Sequence, residues 1–401
     1  MSPPQFYDPN SPDEQPVALP SAPLTSLAEG VQLQPPLSRR GTGPGLIAFL
    51  PSTSNLSLKS GEDKPLDPEP VQKWAEEGFA VVGIITGHGS VQHNLKVAVE
   101  GLLNLPALDT RDKFAVVVYD QTALSDVLSA ISQDSRLVCL VVYGHSLSTP
   151  PPVPTLVCIP SSVDVPAAPN LTICKLECPS SSFVLPQTND YHPAAASISH
   201  SRACAHIKKY LNGPYFDLEA IWEEHTYFEF VVRSVAKTMG TMVAEPYVNH
   251  IPTLAGGVGR KQLTAFYRDH FIFNNPADAR METISRTIGP DRIIDEFIMH
   301  TTHDKQIDWF LPGVPPTGKK ITLPMLGVIN IRGDRLYHEH LWWDQASALK
   351  QVGLMPEHVS LNGKTLRLPI SGVEAATLLR DETAHPPNEM MGPDYGFVKD
   401  V

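Results

Sequence analysis

Histidines and carboxylates gather in the C-terminal half of the sequence at spacings suited to moving protons. His338, His340 and Asp344 fall on alternate positions of the run RLYHEHLWWD, and His225 and Glu229 stand four residues apart. Side chains two apart share one face of a strand, and side chains four apart share one face of a helix. With that strand face turned inward, His338, His340 and Asp344 project into one cavity together with Leu336 and Trp342. An imidazole beside a carboxylate, between apolar walls, can hold a proton near working pH. The expected catalytic set is Asp344 as acid and base with His340, His338, His250 and His225. His340 or His250 would polarise a substrate carbonyl while Asp344 moves the proton. Trp222, Tyr227, Trp309 and Trp342 would form the wall around a flat small-molecule substrate. No cofactor is expected. A metal ion, if held, would take His225, Glu229, His250 and His340, because imidazole and carboxylate suit zinc or iron.

Positioning these groups requires a sheet with helices ahead of it. ITLPMLGVINI and RLYHEHLWW are separated by Arg332, Gly333 and Asp334, and the Gly-Asp pair signals a hairpin turn, so the two runs should be adjacent antiparallel strands. The spacing of Ala348, Leu349 and Val352 predicts a helix after Asp344. Upstream, residues 215–241 open with a helix carrying Trp222, His225, Tyr227 and Glu229. EPYVNHIP then reads as a short strand bearing His250, and GRKQLTAFYRDHF as a second helix. METISRTIGPDRIIDEFIMHTTHD reads as strands turning at Gly289, Pro290 and Asp291. Helices followed by a curved antiparallel sheet imply an α+β cone with a pocket at its open mouth. Beyond it, LNGKTLRLPISGVEAATLLRD carries a hairpin-like Asn-Gly and then a helix.

The ordered strings LPGVPPTGKKI, GDRLYHEHLWWD and ALKQVG resemble the SnoaL-like polyketide cyclases and ester cyclases of the nuclear-transport-factor-like superfamily, over residues 215–356. In that family an aspartate ending the closing strand is the acid/base of an intramolecular aldol cyclisation, and Asp344 is the matching position. The resemblance implies lyase or isomerase chemistry, by proton abstraction beside a carbonyl, on a polyketide-like or aromatic lactone substrate.

The N-terminal half has a different texture. LIAFLPS, FAVVGII, FAVVVYD, LVCLVVYG, PTLVCIPS and NLTICKLEC are short continuous apolar runs, as in strands covered on both faces. PEPVQKWAEEG, HNLKVAVEGLLNL and TALSDVLSAIS between them have helical spacing, which implies a mainly parallel sheet wrapped on both sides. The order of these runs resembles the dienelactone hydrolase branch of the α/β-hydrolases over residues 45–211. Those enzymes carry a nucleophilic cysteine on a strained Gly-Tyr-Cys-x-Gly-Gly turn, where this chain has Val118, Tyr119, Asp120, Gln121, Thr122 and Ala123. The family's acid would fall at Asp164, but residues 179–183 offer no histidine. The resemblance therefore implies a catalytically degenerate domain. Gly144-His145-Ser146-Leu147-Ser148 mimics a serine elbow, yet prolines follow where the motif needs a helix. A lactone or ester hydrolase using Asp120 or Ser146 is the alternative reading, and a non-enzymatic small-molecule binding protein a third.

Composition sets the limits. With 401 residues, 42% hydrophobic and 18% charged, the chain has room for more than one packed domain. A net charge of −12 disfavours a nucleic-acid partner, whose phosphates call for Lys and Arg. The five cysteines, odd in number and scattered in spacing, argue against a disulfide framework. No leader-like segment or membrane-length apolar run stands out, so a cytoplasmic protein without a membrane partner is expected. A small-molecule substrate and a homodimer are the partners the sequence allows. The expected organisation is a Pro-rich disordered or extended arm (1–44), a dienelactone hydrolase-like α/β domain (45–213), a SnoaL-like α+β cone (214–356) and a C-terminal extension (357–401).

Overall fold

The computed structural model describes residues 4–60, 65–393 and 395–398. Its chain divides into two compact units. One holds Leu19–Asp217 with Arg332–Asp334, and the other holds Met1–Ala18, Leu218–Ile331 and Arg335–Val401.

The first unit is built on an eight-stranded sheet in the order β1-β2-β4-β3-β5-β6-β7-β8. Its strands are β1 (Thr25–Ala28), β2 (Val31–Gln34), β3 (Gly45–Leu50), β4 (Ala80–Ile85), β5 (Phe114–Val118), β6 (Leu137–Tyr143), β7 (Thr155–Pro160) and β8 (Leu171–Leu176). From β4 to β8 every pairing is parallel, while β1 and β2 join antiparallel at the β4 edge. The helices are α1 (Pro70–Glu76), α2 (Val91–Asn104), α3 (Gln121–Ile131) and α4 (Pro193–Leu211).

Parity along the strands explains why the apolar runs are continuous. Ile47, Phe49, Phe114, Val116 and Val118 pack on one face with α2 and α3 residues such as Leu102 and Val127. Leu46, Ala48, Ala115 and Val117 pack on the other with Trp74 of α1 and Ala203 and Ile207 of α4. Both faces of β3 and β5 are covered, and accordingly these two strands carry no polar side chain. The stretch read as a loose arm contains the β1/β2 hairpin. Val31 and Leu33, 0% and 5% exposed, supply the apolar surface that docks it, and the β4 edge supplies the backbone partners.

The second unit holds a six-stranded sheet in the order β10-β9-β14-β13-β12-β11. Its strands are β9 (Met242–His250), β10 (Ala255–Val258), β11 (Arg280–Ile288), β12 (Arg292–Thr302), β13 (Lys320–Arg332) and β14 (Arg335–Trp343). β13 and β14 are neighbours, as their sequences imply, with Gly333 at φ 57° in the turn between them. Helix α5 (Leu218–Tyr227) runs into a π-helical turn at Phe228–Val232, and α6 (Val235–Gly240) follows. Helix α7 (Gly259–Phe266) runs into a second π-helical turn at Tyr267–Phe271, and α8 (Gln345–Gln351) closes the segment. A small hairpin, β15 (His358–Leu361) with β16 (Lys364–Arg367), precedes α9 (Glu374–Arg380). Among the described residues no helix is long and apolar enough to cross a membrane.

Candidate active site in the six-stranded unit

A cavity of about 670 Å³, counted out to its mouth, opens in the second unit. Trp222, Phe230, Phe271, Phe297, Trp309 and Met325 supply its apolar walls, and Glu229, Glu339 and Asn275 its main polar groups. Arg280, whose side chain is 63% exposed, marks the solvent side.

Helix α5 buries Leu218, Ile221, Trp222 and His225, the i, i+3, i+4, i+7 stripe of an amphipathic helix. The wider π turn that follows carries Glu229 inward from the next step of the backbone. β14 contributes Glu339, buried with Leu341 and Trp343 on the same parity. His225 Nε2 lies 3.0 Å from Glu229 Oε1 and 3.7 Å from Glu339 Oε2. All three side chains are nearly or wholly buried.

The hydrogen bonds place a hydrogen on Nδ1 of the imidazole. The Thr241 hydroxyl donates to the Thr238 carbonyl at 2.7 Å, so at 2.6 Å it must accept from His225 Nδ1–H. Nε2 faces the Tyr267 hydroxyl at 3.3 Å and the two carboxylates. Glu229 Oε1 and Glu339 Oε2, although close to the ring, have no aligned hydrogen-bond donor. Burial pushes the Glu339 carboxyl up to about 8, reinforced by the negative charge of Glu229 and only partly opposed by His225. Burial opposes the charging of His225, but Glu229 and Glu339 outweigh it and its pKa rises. Glu339, raised to about 8, therefore holds its proton at neutral pH.

The tryptophan walls are held by side-chain acceptors. Trp222 Nε1 donates to Asp295 Oδ2 at 2.9 Å, and Arg286 grips the same carboxylate at 3.1 and 2.9 Å. Trp309 Nε1 donates to Asn275 Oδ1 at 2.9 Å.

Several residues picked out from sequence lie elsewhere. β14 has the opposite parity to the expected one: Tyr337, Glu339, Leu341 and Trp343 are buried, while His338 and His340 are half-buried and Trp342 is 46% exposed. A register shift against β9 between Leu336 and His338 lets Leu336 stay buried without carrying the histidines inward. His338 and His340 instead pack edge-on against Tyr247, each at 5.4 Å between ring centres. Asp344 is exposed and caps α8, accepting from Ala346 N, Ser347 N and Ser347 Oγ. Tyr227 is 51% exposed.

His250 is buried with its Nδ1 on the Ala255 carbonyl and its ring among Phe266, Phe271, Trp309 and Trp343. Burial pushes its pKa down to about 4, so it stays neutral. Of the expected set, His225, Glu229, Trp222 and Trp309 are brought together. Glu339, Asn275, Tyr267 and Thr241 went unpicked. For Glu339 a signal existed: Tyr337, Leu341 and Trp343 make its face the more apolar one.

For a cation, the donor atoms of His225, Glu229 and Glu339 all lie within 4.8 Å of one another, so they, rather than a set with His250 and His340, have the reach to hold one. Glu77, His200 and Cys204 in the first unit form a second such group, but Lys208 Nζ already sits 3.2 Å from Glu77 Oε2.

In the first unit, Asp120 sits at φ −117° and caps α3, with its oxygens engaged by Thr122 N and Thr86 Oγ1. Ser146 lines a separate surface groove with Gln121 and Thr149. The Asp164 side chain is fully exposed beside Lys175.

Residues 225–339 match the family model for the SnoaL-like domain, so this chain contains a SnoaL-like domain at those positions. No curated protein matches the chain. Similar solved structures include an NTF2-like protein of unknown function from Burkholderia pseudomallei, at 15% identity and TM-score 0.26, covering 34% of this chain and 96% of that one. A candidate SnoaL-like polyketide cyclase from Jannaschia sp. is 15% identical with TM-score 0.28, covering 36% and 99%. A protein with a ketosteroid isomerase-like fold from Catenulispora acidiphila, in complex with trimethylamine, is 13% identical with TM-score 0.26, covering 34% and 93%.

Proposed function

We propose that the SnoaL-like unit is an acid–base enzyme of cyclase or isomerase type, acting beside a carbonyl group of a polyketide-like or aromatic lactone substrate. The observation that carries this reading is a pair of buried carboxyl groups that flank one imidazole and line an apolar cavity. A carboxyl raised to about 8 beside a second carboxyl in one site can serve as acid while its neighbour serves as base.

Glu229 takes the proton from the carbon next to the carbonyl; the C–H electron pair forms the new C=C bond and the C=O π pair moves onto the oxygen. Glu339 gives its proton to that oxygen, forming the enol; in the return step Glu229 gives a proton back to carbon and Glu339 takes one from the enol oxygen as the carbonyl re-forms. His225, held through Nδ1 by Thr241, steadies the Glu229 charge before the transfer. The apolar walls keep water from levelling the two carboxyls.

The test is exchange of deuterium into the carbon beside the carbonyl of 2-tetralone, catalysed by the full chain in heavy water. Glu339→Gln and Glu229→Gln should each lower the exchange rate by about a hundredfold or more. Exchange retained in both variants, or a stoichiometric transition metal in the purified protein, would overturn the reading.

The first unit we read as an α/β-hydrolase-like scaffold, in keeping with its mainly parallel sheet covered on both faces. The hydrolase alternative is disfavoured because both Asp120 oxygens are engaged and its backbone is extended, unlike a strained elbow.

A further inference from the structure

Asn275 is 1% exposed and lines the cavity. Its Oδ1 accepts from Trp309 Nε1, and an indole N–H can only donate, so the amide's orientation is settled by chemistry. The Nδ2 group, turned the other way, has no hydrogen-bond partner. The backbone is pinned as well: Arg233 Nη2 donates to the carbonyls of Asn275 and Pro276 at 3.2 and 3.4 Å. A buried donor left unsatisfied costs about 1–3 kcal/mol, and this one belongs to a residue that lines the cavity.

We infer that Asn275 Nδ2 is the binding group for an acceptor oxygen of the ligand, and that the cavity selects ketones, lactones and phenols over hydrocarbons of the same shape. Nδ2 can only donate, so a ligand must present a carbonyl, ring or phenolic oxygen to it. It is neutral, so the oxygen it receives need not carry a full charge, which suits a site already holding the Glu229 carboxylate. In the proton-transfer reading on which this inference builds, the same donor would steady an oxygen on the substrate as negative charge develops.

The experiment measures binding of 2-tetralone and of tetralin, its hydrocarbon counterpart, to the full chain by quenching of tryptophan fluorescence. Wild-type protein should prefer the ketone by about tenfold, the worth of one well-placed hydrogen bond. Asn275→Leu should abolish the preference. Asn275→Asp keeps the acceptor for Trp309 and, at a pH where its carboxyl is ionised, removes the donor, so at that pH it retains the wall and should also lose the preference. Equal affinity of wild-type protein for the two compounds, or a preference surviving in either variant, overturns the inference. A preference that depends on Asn275 in a protein showing no deuterium exchange would leave the recognition standing and sink the acid–base reading instead.

Discussion

Glu339 and Asp344 lie five residues apart on one ribbon, yet their surroundings assign them different work. Asp344 accepts three hydrogen bonds as the cap of α8. Asp344→Ala should therefore lower stability by about 0.5–2 kcal/mol in urea denaturation and leave deuterium exchange into 2-tetralone unchanged. Loss of exchange in that variant would return the acid/base role to Asp344. For Glu339, the carboxyl is raised to about 8 by burial and by Glu229, so its proton is present at neutral pH. A group that must give a proton works only while it holds one. Exchange should thus fall as the pH rises through about 8. A rate that climbs steadily through that range would assign Glu339 as a base instead.

At the scale of the element, β14 decides the site through its parity. Trp343 is 9% exposed and Trp342 is 46% exposed, so adjacent tryptophans should respond very differently to truncation. Trp343→Ala should cost about 3–5 kcal/mol and Trp342→Ala less than about 1 kcal/mol, read from urea midpoints. Equal effects would mean the ribbon is turned the other way. The sequence made the β13/β14 pairing, the Gly333 turn, α5 and the strand bearing His250 legible, because hairpin signals and amphipathic spacing are local. It also brought out the i, i+4 relation of His225 and Glu229. Which face of β14 turns inward was not local: the register shift against β9 and the competing imidazoles on the other parity both bear on it. Asn275 and Tyr267 were beyond reach because their roles depend on Trp309 and His225, residues far off in the chain.

Taken as a molecule, the chain holds buried ionic groups around Glu77 and around Glu339 that respond to pH in opposite directions. In the first unit, burial opposes the ionisation of Glu77, but Lys208 and His200 outweigh it and hold the carboxyl well below the usual glutamate range. A depressed carboxyl adds stability that is present above its unfolded pKa and lost as the pH falls through the folded one. In the second unit, Glu339 and His225 are both raised, so their contribution is full below their unfolded values and is lost as the pH rises through the folded ones. Hydrogen exchange read by mass spectrometry, corrected for intrinsic rates, should show the eight-stranded unit losing protection in acid. The six-stranded unit should lose it progressively as the pH rises from about 4.5 to about 8. Glu77→Gln should flatten the first trend and Glu339→Gln the second. Parallel trends in the two units would contradict these assignments.

The central claim is a carboxylic acid proton on Glu339 at neutral pH, facing the cavity. Infrared difference spectroscopy of wild-type protein against Glu339→Gln reads it directly through the C=O stretch that only a protonated carboxyl shows. The band should be present at neutral pH, vanish with a midpoint near about 8 and be missing in the variant. Its absence from wild-type protein at neutral pH would contradict the account.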